Sequence, residues 1–353
     1  MIGSLILALI VWVVIVTMDE PLLQFFGADA STLSLAREYV APIKFVVPCF
    51  LFTQALAAYL RNDKDPGLAT AGVLAGGIFN IFGDYFFVFT CQMGAYVAGL
   101  ATAIGTVISV SVMLTHFLSK KNTLSLVRPT RFFYNMKKIC TTGFSTFFID
   151  IAMGVLTILL NRQIMAYLGT DALSVYGVIV NVSTFVQCCA YSVGQAAQPI
   201  VSTNFGAAMG DRIRETLKYA LWTTAFFGIL WTGVTLLIPD PIVRLFMTPT
   251  AAIDAIAPAI IRMYGLSFLL LPPNIFSTYY FQAIMKLQAA FVVSISRGLL
   301  ISGVLILVLP LFADAWSLWL AMPLTELITA VYVIRKIIGY TRELSEAHDE
   351  AYA

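Results

Sequence analysis

Ten apolar runs dominate this chain, at about 2–18, 36–60, 66–90, 93–118, 138–167, 172–203, 215–238, 256–283, 288–311 and 315–337. Most exceed the roughly 18–20 residues that a helix needs to cross a bilayer. In hydrocarbon a backbone must satisfy its own polar groups, which a helix does within each segment. Composition agrees. Residues are 59% hydrophobic and 11% charged, where a water-soluble domain carries about 45–50% and about 25%. The expected fold class is an all-α polytopic membrane protein with about ten transmembrane helices. The start is apolar from residue 2, and no Lys or Arg precedes Arg37. A secretory leader needs a basic first region and a small-residue cleavage site, so residues 2–18 read as a membrane helix.

Lys and Arg sort by loop. Loops 61–65, 119–138, 204–218 and 284–287 and the C-terminal tail hold fifteen; the alternate loops hold Arg244, with Arg37 just beyond an edge. Basic loops stay in the cytoplasm, which places the first set inside.

Several function classes fall away. A net charge of +2 offers no basic surface for nucleic acid. His116 and His348 are the only histidines, too few for a histidine metal centre or a Ser/His/Asp triad. The five cysteines form no CxxC pair and read as small packing residues. Asp63-Lys64-Asp65 has the look of a metal-binding glycosyltransferase motif, but it sits in a tight basic turn before Pro66. No cofactor, metal or catalytic residue is expected, and the chain does not read as an enzyme.

The chain also repeats itself. "PLLQFF" at 21–26 matches "PIVRLF" at 241–246. With a one-residue shift Tyr59 falls on Tyr280, Ala69 on Ala290 and Gly77 on Gly298. Six spans separate matching helices, so the two units point the same way, as in parallel-repeat transporters. The second unit has two spans, 138–167 and 172–203, ahead of its match to residue 1. The first unit has no counterpart to them, which leads to the expectation of roughly ninety further N-terminal residues.

"YLRNDKDPGLATAGVLAGGIFNIFGDYFFVF" followed by "MGAYVAGLATAIGT" resembles the fifth and sixth helices of the multidrug and toxic compound extrusion (MATE) family. "LLNRQIMAYLGTDALSVYGV" and "GQAAQPIVSTNFGA" resemble its seventh and eighth, and "FQAIMKLQAAFVVSISRG" the turn into its eleventh. "RND" in the first inner turn is similar to the MepA-like branch. Met285 stands where the family's inner turn usually keeps a glycine. The resemblance implies a twelve-helix, two-lobe fold lacking its first two helices here. Residues 1–118 would be an incomplete N-terminal lobe, 119–137 a cytoplasmic linker, 138–337 the C-terminal lobe and 338–353 a cytoplasmic tail. It implies export of cationic, amphipathic compounds in exchange for H⁺ or Na⁺ across the bacterial cytoplasmic membrane, by a monomer surrounded by lipid. The rival expectations are a flippase for a lipid-linked oligosaccharide, a membrane-embedded enzyme and a non-functional transporter fragment.

Three acids lie deep in the spans: Asp84, Asp150 and Glu326. An ionised carboxylate inside a membrane is costly unless paired or protonated, so it is a functional candidate by default. Asn80 shares a helix face with Asp84, and counting from the outer turn puts Thr102 at similar depth. A carboxylate, an amide oxygen and a hydroxyl suit a proton or a hard cation. The resemblance maps the family's cation or proton site to Asn80, Asp84 and Thr102. Leu305 replaces Asp84 in the repeat, so packing alone does not require the acid. Asp150, Glu326 and Gln195 are further candidates for substrate or coupling contacts. Arg162 and Arg297, near span ends, are expected to snorkel to the interface.

Overall fold

The computed structural model describes residues 2–25, 33–91, 93–125 and 130–352, with side chains for all of these except 2, 25, 89, 145, 146, 149, 150 and 344–352. Among the described residues every regular element is a helix. Eight helices among the described residues are long and apolar enough to cross a membrane. Gly3–Thr17 and Ile151–Tyr167, in the first and fifth expected spans, are shorter apolar helices. The chain forms two compact units, Met1–Phe132 and Phe133–Ala353.

The first unit contains α1 (Ile2–Thr17), α2 (Asp19–Phe25), α3 (Leu33–Asn62), α4 (Pro66–Gly83) and α5 (Ala95–Leu114). A π-helical segment, Asp84–Thr90, continues α4, and a 3₁₀ turn, Thr115–Leu118, ends α5. Pro66 opens α4 where its missing N–H leaves no bond unmade. Small residues set the packing of α4 on α5. A Cβ on Gly76 would overlap the Gly105 carbonyl and the Ser109 hydroxyl, and one on Gly72 would come within 2.6 Å of Met113. Gly72 and Gly76 are spaced as in membrane helix pairs whose backbones touch. On another face of α5, Gly99 abuts the Tyr39 carbonyl of α3. Leu56, Leu60, Ala69 and Met113 fill the space toward the basic end. Asp19 bonds Lys44, and Glu20 pairs with Arg37 at 3.2 Å, fixing α2 to α3.

The second unit runs through α6 (Phe132–Tyr167), α7 (Gly169–Gly206), α8 (Gly210–Leu237), α9 (Pro239–Phe246) and α10 (Ala251–Gly265). It continues with α11 (Leu271–Ala283), α12 (Leu287–Ile295), α13 (Ile301–Phe312) and α14 (Ala321–Tyr352). A π-helical segment, Ser296–Leu300, joins α12 to α13. Its core centres on Trp319, Phe268, Phe276, Tyr280 and Phe281, all at most 1% exposed. Large apolar side chains such as Trp222, Phe226 and Leu311 point outward, as a lipid-facing surface requires.

The repeat is visible in the backbone of the inner turns. Lys64 has φ 61° and Met285 φ 59°, both in the left-handed region that glycine favours. The Asp65 N–H donates to the Leu60 carbonyl at 2.9 Å, and the Lys286 N–H to the Phe281 carbonyl at 2.8 Å. Both are six-to-one bonds of a Schellman helix end, at a common offset. Met285 therefore holds the glycine conformation without being glycine.

Candidate functional site

In the first unit, Asn80 and Thr102 meet across α4 and α5: the Asn80 amide donates to the Thr102 hydroxyl at 3.1 Å. The Thr102 hydroxyl in turn donates to the Ala98 carbonyl one turn back at 3.2 Å. Beside this pair lies a cavity of about 230 Å³. Thr53 and Gln54 of α3, Asn80 of α4, and Thr106 and Ser109 of α5 give it a polar lining. Gly76, Gly77 and Gly105 also border it, so missing side chains help leave the space.

Asp84 lies one turn beyond Asn80, and its N–H bonds the Asn80 and Ile81 carbonyls. It stands where the α-helical pattern widens into the π-helical segment, an irregularity frequent at functional sites. Its carboxyl is not joined to the Asn80–Thr102 pair. Instead Oδ1 is buried with no hydrogen-bond partner among the described residues. A buried acceptor left unsatisfied costs about 1–3 kcal/mol, more when charged. A proton or a bound cation would remove that cost.

Glu326 lies in a different setting, inside the second unit, and is fully buried. Arg297 clamps it, with Nε 3.0 Å from both carboxylate oxygens and a terminal nitrogen 2.8 Å from Oε1. The Asn274 amide donates to Glu326 Oε2 at 2.7 Å and to the Glu326 carbonyl at 2.9 Å. Arg297 is only 4% exposed. The expectation that it snorkels is wrong, because a buried carboxylate within reach outweighs the distant interface. Carried across the repeat at the offset of the inner turns, Arg297 falls on Gly76, Glu326 on Gly105 and Asn274 on Thr53. The first unit keeps a polar cavity where the second holds an ion pair.

Of the other candidates, Gln195 is half-buried on α7. One turn on, the Gln198 amide reaches the Gln282 oxygen at 3.4 Å, linking α7 to α11. Asp150 is on α6, and its side chain lies outside the described residues.

Sequence reasoning missed one cluster. His116, fully buried at the basic end of α5, places Nε2 2.7 Å from Asp63 and Nδ1 3.2 Å from Asp65. The Thr123 N–H donates to Asp63 Oδ2 at 2.9 Å, and its hydroxyl donates to Asp63 Oδ1. The His116 bond, followed by the two from Thr123, holds the Asp63 carboxyl down at about 2. The available signal was a lone histidine at the inner end of a span, opposite a turn with two aspartates.

Among the described residues, eight helices long and apolar enough to cross a bilayer, a buried carboxyl oxygen without a partner and a buried ion pair define a polytopic membrane protein. A family model, MatE, matches residues 1–86 and 145–308, and the chain belongs to that family of transporters. It is 26% identical over 344 residues to the multidrug export protein MepA of Staphylococcus saprophyticus, covering 94% of this chain and 75% of that one. It is 20% identical to the probable multidrug resistance protein YoeA of Bacillus subtilis, over 66% and 52% of the two chains. A crystal structure of MATE in the straight conformation superposes with a TM-score of 0.88 at 17% identity, over 98% of this chain and 78% of that one. The structure of the MATE multidrug transporter DinF-BH gives 0.82 at 25% identity, over 95% and 76%.

Proposed function

We propose that this protein is a multidrug efflux antiporter of the cytoplasmic membrane. It exports cationic amphipathic compounds in exchange for H⁺ or Na⁺, and Asp84, supported by Asn80 and Thr102, is the coupling group. The observation that carries this reading is the buried, unpartnered Oδ1 of Asp84 within a membrane helix. The names of the relatives, multidrug export and multidrug resistance proteins, support the substrate class. Binding a cation at Asp84 neutralises the carboxylate and removes the penalty of holding it in an apolar helix. The site drives transport when its cation affinity differs between two conformations, because a ligand shifts an equilibrium only by that difference. A π-helical segment beside the acid provides a helix whose register is already irregular.

The test uses the full chain purified into lipid vesicles. A pH gradient or a sodium gradient is imposed in turn, and transport of a fluorescent organic cation is followed. Wild-type protein is expected to respond to one of the two gradients, which names the ion. Asp84→Asn is expected to insert and fold yet lose gradient-driven transport, because an amide neither takes up a proton nor offers a charge. Transport by Asp84→Asn at the wild-type rate, driven by the same gradient, would refute the assignment.

A further inference from the structure

A groove of about 820 Å³ opens between α8 and α14 in the second unit. Two kinds of side chain line it. Arg214, Lys218 and Arg342 give one end three positive charges, and Trp222, Ala225 and Ile338 belong to its apolar wall. Arg214 and Lys218 begin one helix and Arg342 follows the apolar part of the other, so the charges gather at the basic-loop end. Asp211 stands 3.6 Å from one terminal nitrogen of Arg214 but is itself 75% exposed. The Nε of Arg214 is buried and has no hydrogen-bond partner among the described residues.

The dimensions fit the bilayer. From Arg214 to Ala225 the helix rises about 16 Å, close to half of the roughly 30 Å hydrocarbon thickness. A ligand filling this groove has an anionic head and an apolar tail about one leaflet long. We propose that it is a binding site for an anionic phospholipid of the cytoplasmic leaflet, with the phosphate at Arg214, Lys218 and Arg342 and an acyl chain along Trp222. Basic pockets between membrane helices on the cytoplasmic side recognise such head groups, and charge complementarity separates them from zwitterionic lipids. The site rests on membrane embedding and the sidedness of the basic loops. It is independent of what the protein exports.

Trp222, 70% exposed, is a reporter already in place. The full chain is reconstituted in phosphatidylcholine vesicles containing an equal mole fraction of either brominated phosphatidylglycerol or brominated phosphatidylcholine. Quenching of Trp222 is taken as the difference from Trp222→Phe, which removes the signal of the other tryptophans. Brominated phosphatidylglycerol is expected to be enriched at Trp222 by about fivefold or more, the effect of one well-placed basic side chain at an anionic surface. Arg214→Gln/Lys218→Gln/Arg342→Gln should abolish that preference. Should the triple variant fail to fold, Ala225→Phe fills the apolar wall and leaves the charges in place. It should also lower quenching by the anionic lipid. Equal quenching by the two lipids overturns the proposal, as does a preference that survives the triple variant or quenching by the anionic lipid that Ala225→Phe leaves unchanged. Displacement of the brominated lipid by inorganic phosphate overturns it too, since the groove would then be a site for a free anion.

Discussion

Arg297 grips Glu326 through two nitrogens at 2.8–3.0 Å, with both side chains almost fully buried. Removing one partner leaves an unpaired charge in an apolar interior, which costs about 3–5 kcal/mol. Arg297→Met and Glu326→Leu should each destabilise the protein by that amount. The double substitution should recover most of the loss, because both charges go together. Denaturant unfolding in detergent checks this; a double variant no more stable than the singles would show that the pair contributes more than charge balance.

Acid should loosen the inner turn of the first unit. An ordinary aspartate titrates near 3.9, whereas Asp63 is held down to about 2 by His116 and Thr123. A depressed carboxyl contributes stability that is fully present above the unfolded value and is lost as pH falls through the folded one. Protection of the Thr123 amide against hydrogen exchange should therefore decline between about pH 4 and pH 2. In Asp63→Asn that decline should vanish, and protection should be low throughout.

Thr102→Val removes the hydroxyl that receives the Asn80 amide and keeps the side-chain volume. A single such bond is worth about 0.5–1.5 kcal/mol net, so gradient-driven transport should slow by about two- to tenfold. The gradient that drives it should not change. Total loss in this variant, equal to that of Asp84→Asn, would make Thr102 a direct partner of the transported ion.

Gly76→Leu should act as a wedge between α4 and α5, costing about 1–3 kcal/mol or more through overpacking. Gly77→Ala, whose Cβ would meet nothing within 4 Å, should be neutral or stabilising by up to about 1 kcal/mol. Thermal denaturation of the two variants side by side reads the contrast.

Sidedness follows from the basic loops. On a background without the five native cysteines, a cysteine at Thr250 should react with an impermeant thiol reagent applied to whole cells, and one at Asn122 should not. The reverse pattern would invert the protein in the membrane.

The fold was legible because its signals are long-range sums. Apolar run length, loop charge and the repeat each extend over many residues, and local errors cancel. The repeat even reached the backbone, since Lys64 and Met285 share a left-handed turn. Counting turns from the short outer loop set Thr102 level with Asp84, but the hydrogen bond falls one turn away, on Asn80, because a turn count fixes depth only to about a turn and does not say which side chain reaches across. Side-chain partners were harder. Arg297 lies near a span end and reads as a snorkelling residue until Glu326, from another helix, is known to face it. His116 looks inert alone. Its meaning comes from Asp63 and Asp65, which the chain brings to it from across an inner turn.

The contact between Gly76 and Gly105 also bears on how the gene can change. A glycine codon turns, by any single-base missense change, into alanine, valine, serine, cysteine, arginine, aspartate, glutamate or tryptophan. Each of these carries a Cβ, and at Gly76 a Cβ overlaps the Gly105 carbonyl and the Ser109 hydroxyl. No one-step replacement escapes the clash, and trimming Ser109 would still leave the Gly105 backbone carbonyl in the way, so relief requires the two helices to move apart. Gly76 and Gly105, each facing the other's backbone, are therefore expected to stay glycine while the residues around them drift.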